Sequence, residues 1–265
     1  MKNLVLESLL IETTHDLRTL RILLPDDYGD SNLKYPVLYL HDGQNCFEDE
    51  TSFSGHSWGF SQIIPDLKKR GLIENMIVVG IDNSDLRLYE YSPWENKNHI
   101  TRFKDLKVGG LGDIYADFVV NTVKPFMDKN YRTRADYHSS SIAGSSMGAY
   151  ISCYIAAKYP KVFQHIGVFS LASWFNEDDF LNYIKNANLE HDQRYFISIG
   201  SYESSDSKTE GFNQIYLNNS RNLKKVLLDK KIKDLYYIET PDTHHELAWR
   251  KLVPNFLIWL NKRSK

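Results

Sequence analysis

The stretch that decides the fold reads Ser140-Ser141-Ile142-Ala143-Gly144-Ser145-Ser146-Met147-Gly148-Ala149. Its first four residues are short and β-like, the glycines break the strand, and residues 149–159 then read as a helix. Gly144-x-Ser146-x-Gly148 set between a strand and a helix has the form of a nucleophile elbow. A serine in such a turn sits in a strained backbone conformation. The residues two before and two after it pass so close to neighbouring chain that side chains there would clash. The turn pushes Oγ above the sheet and sets the amide of Met147 at a helix N-terminus, where it can stabilise an oxyanion. A five-residue match of this kind also arises by chance, so the flanking strand and helix carry the reading.

Outward from the elbow, apolar runs alternate with helical stripes, the mark of an α/β fold. Residues 3–12 and 17–24 read as an antiparallel pair. Residues 35–41 (YPVLYLH) and 76–81 (MIVVGI) are nearly continuous apolar runs, which fit central strands buried on both faces. After the elbow come a strand at 163–170, a helix near 177–187, a strand at 195–199, a helical stretch over 208–229 and a strand at 235–239. A final helix carries Trp249, Leu252, Phe256 and Leu260 at helical spacing. Residues 83–110 form a long polar stretch, of a length that is usually functional in a compact domain. The next helix has Ile114, Tyr115, Phe118, Val119 and Val123 on one face, and Pro125 should end or kink it. No repeat or low-complexity linker divides the chain. Residues 1–265 therefore read as one α/β domain, with a mostly parallel central sheet and helices on both faces.

Composition narrows the function. A formal net charge of -2 argues against a broad nucleic-acid surface. No apolar window is long enough to span a membrane, and the polar, acidic N-terminus is not a secretory signal, so the chain reads as cytoplasmic. Cys46 and Cys153 have no metal-type spacing and read as reduced thiols, Cys153 buried in a helix. A homodimer is compatible with the sequence and is not readable from it.

A serine nucleophile needs a base and an acid, in chain order serine, carboxylate, histidine for this fold. Two predicted strands are followed by such residues: the strand at 195–199 by Glu203, and that at 235–239 by His244 and His245. The carboxyl ends of parallel strands are where α/β folds build sites. Glu203 is the expected acid, with Asp206 in the same loop as the alternative; Asp242 is too close to the histidines to serve. From spacing alone His244 and His245 are nearly equal. The loop His41-Asp42-Gly43-Gln44-Asn45 follows the third strand, and Gly43 permits a sharp turn that can aim the Gln44 amide at the serine as a second oxyanion donor.

These segments together resemble the esterase D-like branch of the α/β-hydrolases, which includes enterochelin-type siderophore esterases, feruloyl and acetylxylan esterases and the antigen 85 mycolyltransferases. The resemblance covers most of the chain. It rests on Leu38 to Asn45, on Val79-Gly80-Ile81-Asp82 with Arg87, Glu90, Tyr91 and Pro93, and on Gly110 to Phe118. Pro125 with Tyr131-Arg132-Thr133, Ile142 to Gly148, and His244 with Trp249-Arg250 complete it. It implies Ser146 as nucleophile and backbone oxyanion donors at Gln44 and Met147. It also favours His244, because the family often has a histidine five residues before a tryptophan, as His244 stands before Trp249. Two departures stand out: Ala149 occupies a position usually held by glycine, and Glu203 stands where several relatives carry aspartate.

The implied chemistry is two-step acyl transfer on a small acyl, carbohydrate or siderophore-type ester, with no metal or organic cofactor required. An acyltransferase with the same triad, or a non-catalytic binding protein on a hydrolase fold, are the alternative readings. The pocket wall is expected from residues 83–110 and from Ser54-Gly55-His56-Ser57-Trp58. Trp94, with Tyr89 and Tyr91, is a candidate to stack on an aromatic or sugar ring, and Trp58 is a candidate substrate-binding residue of the wall. Arg87 is a candidate to hold a substrate carboxylate, or else to pair with Glu90.

Overall fold

The apolar runs become the strands of one eight-stranded sheet. The protein was analysed as a computed structural model that describes residues 3–96, 107–205 and 209–262. The strands are β1 (Leu4–Ile11), β2 (Asp16–Leu23), β3 (Val37–His41), β4 (Ile77–Ile81), β5 (Ser140–Ser145), β6 (His165–Phe169), β7 (Arg194–Tyr202) and β8 (Asp234–Thr243). Their order across the sheet is β1-β2-β4-β3-β5-β6-β7-β8. β1 and β2 form the expected antiparallel hairpin, and β2 is also antiparallel to β4. From β4 through β8 every neighbouring pair is parallel. This is the mostly parallel sheet, flanked by helices, that the alternating pattern predicts.

The period of two along each strand feeds two cores. In β3, Val37 and Tyr39 face one layer while Leu38 and Leu40 face the other. The first layer packs under α3 (Gly112–Phe118), α5 (Met147–Lys158), α6 (Glu177–Asn186) and α7 (Phe212–Asp229). The second packs under α1 (Phe60–Lys69) and α8 (Glu246–Leu260), with Phe60, Leu67, Val253 and Phe256 at its centre. Each fully buried side chain of this size stabilises the fold by roughly 1.5–3 kcal/mol. The two layers are why β3 and β4 read as unbroken apolar runs rather than as alternating ones.

Pro125 neither stops nor simply kinks its helix. α3 passes into a π-helical stretch, Val119–Val123, and continues as α4 (Lys124–Asn130) with the proline in its first turn. A proline lacks the N–H and crowds the carbonyl four residues back, and the wider π turn before it gives that carbonyl room. Among its described residues the long polar stretch contains one helical turn, α2 (Arg87–Glu90), and an isolated bridge pairs Glu95 with Gly109. Cys46 and Cys153 are free and buried. Among the described residues no helix is long and apolar enough to cross a membrane.

The sheet also fixes where chemistry can gather. β3, β5, β6, β7 and β8 run side by side in parallel, and the residues immediately after them are Asp42, Ser146, Ser170, Glu203 and His244. Five adjacent strand ends thus deliver a carboxylate, three groups of triad type and a second hydroxyl to one edge of the molecule.

Candidate active site

Ser146 links β5 to α5 with φ 57° and ψ −122°, a conformation that a residue with a Cβ rarely adopts. Its amide is spent on Phe169 O at 2.9 Å, and its carbonyl accepts from Tyr150 N and Ala172 N. The strain is therefore held from both sides of the peptide. The glycines do what the motif requires. A Cβ built on Gly144 would lie 2.6 Å from the carbonyl carbon of Gly148, so Gly144 has no room for a side chain, while one on Gly148 would be tight, 3.3 Å from Asp42 Oδ2 and from the His41 Cβ. The first hydrogen bond of α5 runs from Tyr150 N to Ser146 O, so the amide of Met147 is an orphan donor of the helix N-terminus.

The acid–base side is a connected network. His244 Nδ1 is hydrogen-bonded to Glu203 Oε2, and because a carboxylate can only accept, Nδ1 carries the hydrogen and Nε2 is free to act as a base. Glu203 is 1% exposed, and its second oxygen accepts from Ser170 Oγ and from Gly200 N at 2.9 Å. Ser170 in turn accepts from Trp249 Nε1 at 2.8 Å. A buried charge needs such partners to offset desolvation. Behind Glu203 a cavity of about 10 Å³, lined by Ser198, Thr240 and Leu252 among others, has room for one water at most.

The imidazole of His244 is also gripped by rings. Tyr216 lies with its centroid 5.0 Å away and Trp249 stands edge-on at 5.1 Å. The Tyr216 hydroxyl bonds Ser205 and lies near the side chain of Ser146, so one tyrosine borders both the serine and the histidine. Burial pushes this phenol up to about 12, so it is a neutral donor throughout the physiological range. His245 does something else: its Nδ1 accepts from Leu247 N and caps α8. Asp206 lies outside the described residues.

On the other side of β5, residues Gly43–Asn45 form a 3-10 turn, entered through Asp42 at φ 55° and ψ 49°. The turn's first hydrogen bond runs from Asn45 N to Asp42 O at 2.8 Å, which leaves the amide of Gln44 uncommitted within the turn. Gln44 O accepts from Thr51 Oγ1 at 2.7 Å, and Gln44 Oε1 accepts from Asn83 N at 3.1 Å. His41, buried beneath, shares a 2.9 Å hydrogen bond with Tyr115, and burial lowers its pKa to about 3. It stays neutral.

The remaining sequence candidates are placed differently from expectation. Trp58 is buried against Phe60, Phe169 and Trp249, so its ring is core beneath the site rather than a wall of a cleft. Arg87 is forked onto Asp42 and not onto Glu90, which pairs with Arg18. Tyr91 is fully buried, with its hydroxyl accepting from Asp42 N at 3.1 Å. Trp94 is half-buried and packs edge-on to Tyr150, Tyr154 and Tyr183. Sequence reasoning passed over Ser170, Tyr216 and Asp42. Ser170 and Asp42 follow strand ends as Glu203 does, and that shared position was the available signal. Tyr216 sits on the buried stripe of α7 and had none. Among the described residues, no three or more His, Cys, Asp or Glu are grouped so as to hold a metal ion.

Residues 11–260 match the family described as "Putative esterase". The chain is 24% identical over 254 residues to the uncharacterized protein YbbA of Bacillus subtilis, covering 94% of each chain. Among solved structures, a ferulic acid esterase superposes with TM-score 0.73 at 16% identity over 97% of both chains. The enterobactin esterase FES of Shigella flexneri superposes with TM-score 0.74 at 17% identity, over 97% of this chain and 58% of that one. At these identities the structural likeness speaks for the fold.

Proposed function

The chain belongs to this esterase family and is a hydrolase of carboxylic esters; we propose that it works as a serine esterase through an acyl-enzyme, with Ser146, His244 and Glu203 as its triad. The observation that supports the reading is the Glu203–His244 hydrogen bond, formed by the residues after β7 and β8 on the sheet edge where β5 ends in the strained serine. Ser146 Oγ attacks the ester carbonyl carbon while its proton passes to His244 Nε2. Glu203 stabilises the imidazolium and fixes the tautomer. The tetrahedral oxyanion is met by the amides of Gln44 and Met147, both left over at the starts of helical turns. Collapse expels the alcohol, which takes the proton from His244. Water then repeats the sequence on the acyl-enzyme, releasing the acid and restoring Ser146.

The substrate in this reading is a small acyl, carbohydrate or siderophore-type ester. Likeness in fold to proteins named ferulic acid esterase and enterobactin esterase supports that class. Trp94 is the remaining candidate for a wall against a substrate ring, since Tyr150, which it touches, stands one turn along α5 from Ser146. The test is pre-steady-state hydrolysis of a p-nitrophenyl ester. The wild type should release a burst of nitrophenol equal to the enzyme concentration. Ser146→Ala should abolish the burst and lower turnover by on the order of 10⁴-fold or more. An unchanged burst in that variant would refute the assignment.

A further inference from the structure

We propose that Asp42 and Arg87 are a positioning pair that sets the oxyanion amide of Gln44. The proposal rests on the reading of Gln44 as an oxyanion donor. The chain leaves β3 through a left-handed turn at Asp42, a conformation that favours glycine and that aspartate tolerates better than most residues. Arg87 fixes its side chain. Its Nε donates to Asp42 Oδ1 at 2.6 Å and its Nη2 to Oδ2 at 2.8 Å, a two-pronged fork that fixes both direction and rotation of the carboxylate. Asn83 reaches the same loop twice: Nδ2 donates to Asp42 Oδ1 at 2.5 Å, and its backbone N donates to Gln44 Oε1. Tyr91 holds the Asp42 amide from below. The peptide that precedes the Gln44 N–H is thus tied through Asp42 to α2 and to the loop after β4.

The same carboxylate lies beside the other donor's helix. A Cβ built on Gly148 would lie 3.3 Å from Asp42 Oδ2, so the first turn of α5 rests on the oxygen that Arg87 grips. One ion pair therefore sets the spacing between the Gln44 amide and the Met147 amide, the quantity on which an oxyanion site depends. Burial works against ionising Asp42, and the Arg87 guanidinium overcomes it and holds the carboxyl below its usual range. The Asp42 fork takes the Nε–Nη2 edge of the guanidinium, one of its two bidentate edges, and it neutralises the charge. Arg87 accordingly positions the loop and does not receive a substrate anion.

The test compares Arg87→Ala and Arg87→Lys with the wild type in kcat, KM, pH profile and inhibition by a trifluoromethyl ketone, whose adduct with Ser146 places an oxyanion in the hole. Loss of alignment should lower kcat about 10- to 100-fold, leave KM within about twofold and leave the pH profile in place. Affinity for the ketone should fall in proportion to kcat/KM, and Arg87→Lys should recover part of each loss. A raised KM with unchanged kcat would overturn the proposal in favour of direct substrate binding, and unchanged kinetics would overturn it outright. Wild-type protein that forms no ketone adduct at Ser146 would instead remove the underlying reading of the site.

Discussion

Two buried carboxylates flank the strand that carries Ser146. Asp42 follows β3 and Glu203 follows β7, on opposite sides of β5 in the sheet. Both accept hydrogen bonds from several donors, yet the donors differ in kind. Asp42 is filled by Arg87 and Asn83, groups whose charge does not change at any working pH. Glu203 is filled by Ser170, the Gly200 amide and an imidazole, whose charge changes in the reaction we propose. The same residue chemistry serves as a fixed brace on one side and as the partner of a moving proton on the other. What differs is the donor, not the acid.

That contrast breaks most readily under paired substitutions. Glu203→Gln leaves shape but not charge, and should lower kcat by roughly 10²- to 10⁴-fold with a changed dependence on pH, because the imidazolium loses its counter-charge. Asp42→Asn should lower kcat by only about 10- to 100-fold and leave the pH profile where it was, since geometry alone is lost. Plots of kcat/KM against pH for the two variants decide the matter. Identical shifts in both would erase the distinction.

Acid stability sharpens it further. His41, next to the brace, and His165, at the far end of β6, both have pKa values lowered from 6.5 to about 3, chiefly by burial, with Arg87 and Arg194 respectively adding to the effect. For such bases the unfolded chain takes up protons that the native state refuses, so stability falls as pH drops from about 6.5 toward 3. The loss is roughly 3 kcal/mol per histidine at pH 4. Asp42, held low by Arg87, adds to the loss in the same direction as the pH approaches its folded pKa. Urea unfolding at pH 7 and pH 4 should show this slope, and His41→Gln should remove about half of the histidine part. A flat response would mean that these histidines are not held neutral.

The smallest expected effect lies one step behind Glu203. Trp249→Phe keeps the ring edge-on to His244 but removes the hydrogen bond to Ser170. A lost hydrogen bond of about 1 kcal/mol corresponds to roughly a fivefold fall in kcat. An equal fall in Ser170→Ala, with no further fall in the double variant, would show that the two act on Glu203 through one path.

The two sides also differ in how far the sequence reveals them. The acid–base side is legible because each member follows a strand that can be recognised, and strand ends are where such sheets gather their groups. The choice between His244 and His245 has its physical reason in the neighbouring helix: His245 is consumed as the cap of α8. The brace is harder to read. Arg87 and Glu90 are three apart on one helical turn, the spacing of a local ion pair, but the turn aims them apart. Arg87 reaches the end of β3, and Glu90 drops into the core onto Arg18. Trp58 and Tyr91 look like ring platforms in a polar loop, and tertiary packing buries both. Contacts that span the loop after β4 and the loop after β3 leave no periodic trace in either segment.

The central claim, an activated serine at the β5–α5 turn, is tested most directly by labelling the native protein with a fluorophosphonate and mapping the modified residue by mass spectrometry. The account predicts one label per chain at Ser146, lost in Ser146→Ala. Folded protein that takes up no label at neutral pH, or takes it up at another residue, would contradict it.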